Sequence, residues 1–102
     1  MIFMRPCERL KEKVELENLW LAVLSLLKRR AMNGRELRNL VKGKFGLLTG
    51  TVTAYKVLYA LEANGFVTSE RRGKCVAYRI TKKGRAELAS GKRFLRDYSR
   101  RL

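Results

Sequence analysis

Histidine is absent from this 102-residue chain, and cysteine, proline and acidic residues are scarce, at two, one and nine. Without histidine, Cys7 and Cys75, far apart in sequence, cannot complete a metal-ligand set of the usual kind, so neither a metal nor another cofactor is expected. The chain also lacks a paired-carboxylate cluster and a phosphate-cradling glycine loop, and with them the usual equipment for acid–base or phosphoryl chemistry. An enzyme is therefore not expected. The longest apolar stretch, residues 19–27 interrupted by Ser25, is too short to cross a bilayer, and the opening Met-Ile-Phe-Met lacks the organisation of a secretory signal. Cytoplasmic residence with both thiols reduced is the expectation. Redox sensing by either cysteine depends on how its surroundings treat the thiolate.

What is abundant is positive charge. Lysine and arginine number 24, giving +15 at pH 7 and a sequence pI near 10.7. Residues 1–27 hold four basic and four acidic side chains, so the whole excess lies in residues 28–102. A highly charged thermophilic exterior would want acids in comparable number, and a merely solubilising surface does not need so one-sided an excess. A polyanionic partner accounts for it better. At 46% apolar residues the chain is too hydrophobic for a disordered basic tail. A single domain over residues 1–102 is expected, with a core unit over 14–81 and a closing segment over 82–102.

Helix-forming residues run almost unbroken over about residues 14–30, and residues 19–27 leave hardly any polar face. Such a helix must be covered on several sides, and part of that cover is expected to come from a second subunit. Asn33-Gly34-Arg35-Glu36 has the form of a capping box and opens a second helix that ends near residues 43–46. Thr49-Gly50-Thr51 offers a cap for a third helix reaching Asn64-Gly65. On this helix Ala54, Val57, Leu58 and Leu61 share one face, with Val52, Tyr55, Lys56 and Tyr59 opposite. Residues 66–71 and 74–80 read as strands around a polar turn at Arg72-Gly73. Thr81 can cap a last helix, on which Leu88, Leu95, Tyr98 and Leu102 draw a coiled-coil-like seam.

Three helices, a hairpin and a closing helix make a mainly α chain with a small β-hairpin, the order of a winged helix-turn-helix with an added C-terminal dimerisation helix. In that arrangement the third helix enters the major groove of double-stranded DNA and the hairpin tip grips the flanking backbone. Thr49, Thr51 and Thr53 supply short donors near a helix N-terminus, Lys56 reaches a base edge or a phosphate, and Tyr55 and Tyr59 lie on the side away from the core. Either tyrosine has an alternative place, packed under the hairpin or against the first helix. Arg38 on the second helix and Arg71, Arg72 and Lys74 at the hairpin tip complete the candidate DNA-binding set. Leu16 and Trp20 on the first helix, with the seam residues on the last, form the candidate subunit interface.

Over roughly residues 17–90 the chain resembles the PadR family of winged-helix regulators. The resemblance lies in the apolar first helix, in Asn33-Gly34-Arg35-Glu36-Leu37, and in Thr53, Tyr55, Leu58, Leu61 and Glu62 running into Gly65-Phe66-Val67. Its strongest piece is Tyr78-Arg79-Ile80-Thr81 followed by Gly84-Arg85. The family commonly has Gly-Thr-Leu-Tyr-Pro where this chain reads Val52-Thr53-Ala54-Tyr55-Lys56. The resemblance therefore implies a DNA-facing role for Thr53 and Tyr55, while Val52 and Lys56 rest on the helical-face argument alone. Asn33 stands where a histidine often precedes the glycine. The resemblance further implies a twofold homodimer in which the last helix meets the partner's first helix. Some members hold a small aromatic ligand between subunits. Here nothing beyond Trp20 hints at such a pocket, and Trp20 reads as core in preference.

Two rival functions share this fold. An architectural protein coating DNA or RNA with little sequence preference would use the basic last helix, which bears Lys82, Lys83, Arg85, Lys92, Arg93, Arg96, Arg100 and Arg101. A protein scaffold would dock the third helix on an acidic partner.

Overall fold

The computed structural model describes residues 5–45 and 51–102. Helix α1 (Pro6–Glu15) begins on a proline at its first turn, where the missing N–H has no partner to lose. No residue of α1 is buried. The helix expected over 14–30 is in fact interrupted at residues 16–18 before α2 (Leu19–Leu27) begins. Asn18 explains the interruption, with backbone at φ −121°, ψ 43°. Its amide donates to the Lys13 carbonyl at 3.1 Å and its carbonyl accepts from the Trp20 indole at 3.3 Å. Its side chain thus offers local partners that compete with continued helix.

Helix α2 is the centre of the fold. Leu19, Ala22, Val23, Leu24, Leu26 and Leu27 are all buried. A two-residue strand, β1 (Met32–Asn33), follows, too short to announce itself by alternation. It pairs antiparallel with β3 (Cys75–Ile80), Met32 opposite Tyr78. The sheet order is β1-β3-β2, with β2 (Val67–Arg72) on the other side of β3. Asn33 ends β1 and caps α3 (Gly34–Phe45), accepting the Glu36 backbone N–H at 2.8 Å. The expected return bond from Glu36 to the cap is replaced by an ion pair with Arg30 at 2.5 Å. The guanidinium beside it holds the Glu36 carboxyl below the usual carboxylate range.

Helix α4 (Thr51–Ala63) ends in a Schellman motif. Gly65 has φ +80°, its N–H donates to the Glu62 carbonyl at 3.0 Å, and the Phe66 N–H donates to that of Leu61 at 2.9 Å. In the hairpin Arg72 pairs with Cys75, so the turn is Gly73-Lys74, one residue later than the sequence suggests. Gly73, with φ +60°, takes the first turn position, which demands a positive φ.

Helix α5 (Lys82–Arg101) is fastened at its start by Thr81. The hydroxyl accepts the Gly84 N–H at 3.0 Å and donates to the Gly65 carbonyl at 2.7 Å, while the Thr81 N–H reaches the Phe66 carbonyl at 3.1 Å. One residue thus ties the end of α4, the foot of the hairpin and the start of α5 together. Thr81→Ala is expected to cost about 1–2 kcal/mol, the range for loss of a helix cap. Thermal denaturation should register it as a drop of roughly 4–8 °C per kcal/mol, with Thr81→Ser close to wild type.

The core gathers Leu37 and Val41 of α3, Leu58 and Leu61 of α4, Val67, Tyr78 and Ile80 of the sheet, and Leu88 of α5 around α2. Leu88, placed in the interface set by its spacing, is 3% exposed within the chain's own core and offers no surface to a partner. Past Gly91, α5 presents Phe94, Leu95, Tyr98 and Leu102 as exposed side chains. Among the described residues no helix is long and apolar enough to cross a membrane.

Candidate nucleic-acid interface

Helices α3 and α4 pack on α2 and on each other and present a helix-turn-helix. On α4, Leu58 and Leu61 are buried while Lys56 and Tyr59 are exposed, as the face argument requires, and Thr53 is exposed as well. Tyr55 departs from it. The residue is half-buried, and its ring lies against the start of α3 so closely that a Cβ on Gly34 would come within 2.5 Å of Tyr55 Cε1. Glycine at position 34 makes the slot that receives the ring. Tyr59 lies outside, 58% exposed, its centroid 6.0 Å from that of Tyr55. Of the two tyrosines it is Tyr55 that packs inward, and the neighbour it meets is the start of α3. Thr49 lies outside the described residues, as does the side chain of Thr51.

The wing is tied back to α4 by a hydrogen bond from the Ser69 hydroxyl to the Glu62 carboxylate. At its tip Arg71, Arg72 and Lys74 are all exposed. Arg72 stands 3.6 Å from Glu70, an exposed pair of little strength. Arg71 and Lys74 form no ion pair among the described residues. Between wing and helices runs a cleft of about 410 Å³ lined by Arg35, Tyr55, Tyr59, Lys74, Cys75 and Tyr78, among others. It brings the exposed ring of α4 and the wing cation onto one concave surface. Tyr78 forms its buried floor, and burial first, then neighbouring Tyr59, Glu62 and Tyr55, pushes its phenol up. Arg35 belongs to this surface, though sequence reasoning passed over it. Its one signal is its position in the first turn after Gly34. Arg38 is exposed on the same helix.

The candidate subunit surface lies elsewhere. Leu16 is 44% exposed and Trp20 half-buried, with Trp20 and Leu21 both packed against Gly91. Leu95, Tyr98 and Leu102 stay uncovered, and Phe94, absent from the expected set, stacks on Tyr98 with centroids 6.0 Å apart. The four-residue spacing of Phe94 and Tyr98 on one helix is the signal that would have found it.

The same arrangement occurs in solved structures. A transcriptional regulator from Clostridium thermocellum superposes with a TM-score of 0.78 at 22% identity, over 86% of this chain and 92% of that one. A PadR family transcriptional regulator from Eggerthella lenta gives 0.77 at 23%, over 91% and 85%. Bacillus subtilis PadR, solved in complex with operator DNA, gives 0.64 at 24%, over 74% of this chain and 46% of that longer one. No curated protein matches the sequence. The model of the transcriptional regulator PadR-like family matches residues 23–90, about two-thirds of the chain and the whole of the helix-turn-helix and wing. The chain belongs to the PadR-like family of transcriptional regulators.

Proposed function

We propose that this regulator binds double-stranded DNA sequence-specifically as a homodimer, with α4 in the major groove and the wing on the flanking backbone. The observation that carries the reading is the cleft that brings Tyr59 of α4, Arg35 of α3 and Lys74 of the wing together, on a helix that also exposes Thr53 and Lys56 and is backed by buried Leu58 and Leu61. The operator complex of the Bacillus subtilis relative supports DNA as partner. Wing cations supply phosphate contacts and therefore affinity, while the side chains of α4 read bases. Tyr55, packed on Gly34, acts by holding α4 at its angle to α3. The role is that of a single-domain regulator acting in the cytoplasm, with no covalent chemistry and no cofactor.

The dimer rests on two surfaces that one chain leaves uncovered. Helix α1 has no buried residue and exposes Leu10, and Leu16 is exposed directly after it. The second half of α5 exposes Leu95, Tyr98 and Leu102 among arginines. Both expose apolar side chains, and α1 of one protomer laid on α5 of its partner covers both. A twofold dimer reads a palindromic operator.

Lys56→Ala or Tyr59→Ala should reduce discrimination between the preferred duplex and a random one by roughly tenfold, within the range for a lost base contact. Arg72→Ala should weaken both duplexes alike. Competition titrations on the two duplexes check this, and a change of sequence preference from Arg72→Ala alone would refute the division of roles.

A further inference from the structure

Lys28 at the end of α2 and Arg85, Lys92, Arg93 and Arg96 of α5 surround a cleft of about 220 Å³ floored by Leu88 and Ala89. All five cations are exposed, and none forms a side-chain hydrogen bond or ion pair with the described residues. The acids of α5, Glu87 and Asp97, do not line it. Five uncompensated cations repel one another, an arrangement that stabilises nothing within the chain and favours an anionic occupant. None of them lies on α3, α4 or the wing.

We propose that this cleft is a second DNA-backbone site, through which each protomer grips duplex outside the footprint of its helix and wing. Along α5 the cations run from residue 85 to residue 96, which at about 1.5 Å per residue is roughly 16 Å. Phosphates of one strand rise about 3.4 Å each along the duplex axis while winding around it, so a straight row of this length meets a few of them. A row of this length suits a continuous backbone better than the compact phosphates of a mononucleotide. The site takes phosphates of any sequence, because its groups are point charges and forks with no route to a base edge. The inference rests on the DNA-binding role proposed above and adds a second contact face to it.

The test is a charge-neutralised variant, Lys92→Gln/Arg93→Gln/Arg96→Gln, whose three side chains are exposed. Its control is Arg5→Gln/Arg9→Gln/Lys11→Gln, which removes the same charge from α1 and the residue that precedes it. Anisotropy titrations on one long duplex, over about 50–200 mM salt, give the slope of log affinity against log salt, to which each lost phosphate contact contributes about 0.9. Sedimentation confirms the oligomeric state of each protein. The α5 variant should lose roughly 2–3 in slope per protomer, with sequence preference unchanged, and the control should keep the wild-type slope. Equal slopes for wild type and the α5 variant would overturn the second site while leaving the wing-and-helix reading standing. An equal loss in variant and control would reduce the effect to net charge. Loss of dimer in the α5 variant alone would assign the cations to the subunit interface and overturn the second site. Failure of the wild type to bind any duplex would instead overturn the proposed function itself.

Discussion

Gly84→Ala is expected to lower the melting temperature by more than about 10 °C, the largest effect of an added methyl group among the described glycines. A Cβ at this position would stand 2.1 Å from the Phe66 carbonyl oxygen and 2.8 Å from Ile80 Cγ1. The first neighbour is backbone, and it already accepts the Thr81 N–H, so it cannot rotate away as a side-chain tip would. Relief requires α5 to lift from the sheet, which draws Leu88 out of the core and opens the cap at Thr81. Overpacking typically costs 1–3 kcal/mol, and a clash with fixed backbone puts this case at about 3 kcal/mol or above. Gly43→Ala is the matched control. Position 43 lies within α3 with nothing inside 4 Å of its added Cβ, so alanine should stabilise by roughly 0.5–1 kcal/mol through backbone entropy. Circular dichroism melts of the two variants check both signs. A Gly84→Ala protein melting with wild type would mean that α5 does not dock as described.

The largest functional effect is expected from stripping the wing. Arg71→Ala/Arg72→Ala/Lys74→Ala removes three exposed cations per protomer, six per dimer, without touching a buried residue. If the wing grips the backbone, the salt slope should fall by up to about five and affinity near physiological salt by at least roughly a hundredfold. Sequence preference should persist in what binding remains, because α4 is intact. The weak Arg72–Glu70 pair is lost too, but an exposed pair contributes at most about 1 kcal/mol to stability, so the melting curve should barely move. An unchanged salt slope would remove the wing from the interface.

Much of this organisation is written locally. Asn33, Gly65 and Thr81 mark helix boundaries through hydrogen bonds made within a few residues, and each does in the structure what its type and position predict. The hairpin is likewise legible, although its turn falls one residue later because Gly73 satisfies the positive φ at the first turn position. Where reading fails, the deciding contact is distant or the pattern is shared. Asn18 interrupts the first helix through bonds from its side chain, which helix periodicity does not register. Strand β1 exists because β3 lies beside it. Tyr55, three residues before Leu58, borders the buried face on the helical wheel although the face argument groups it with the outward residues, and Gly34 opens a slot for its ring. The heptad-like seam of α5 runs through two environments. Leu88 ends in the chain's own core, whereas Leu95, Tyr98 and Leu102 lie beyond its reach.

The central claim is that the surface of α4 and the wing selects a DNA sequence. Fluorescence anisotropy of a labelled duplex from upstream of the protein's own gene, at near-physiological salt and competed with unlabelled random duplex, tests it most directly. The account predicts binding that survives a large excess of random competitor. Equal displacement by random and unlabelled specific duplex would contradict it.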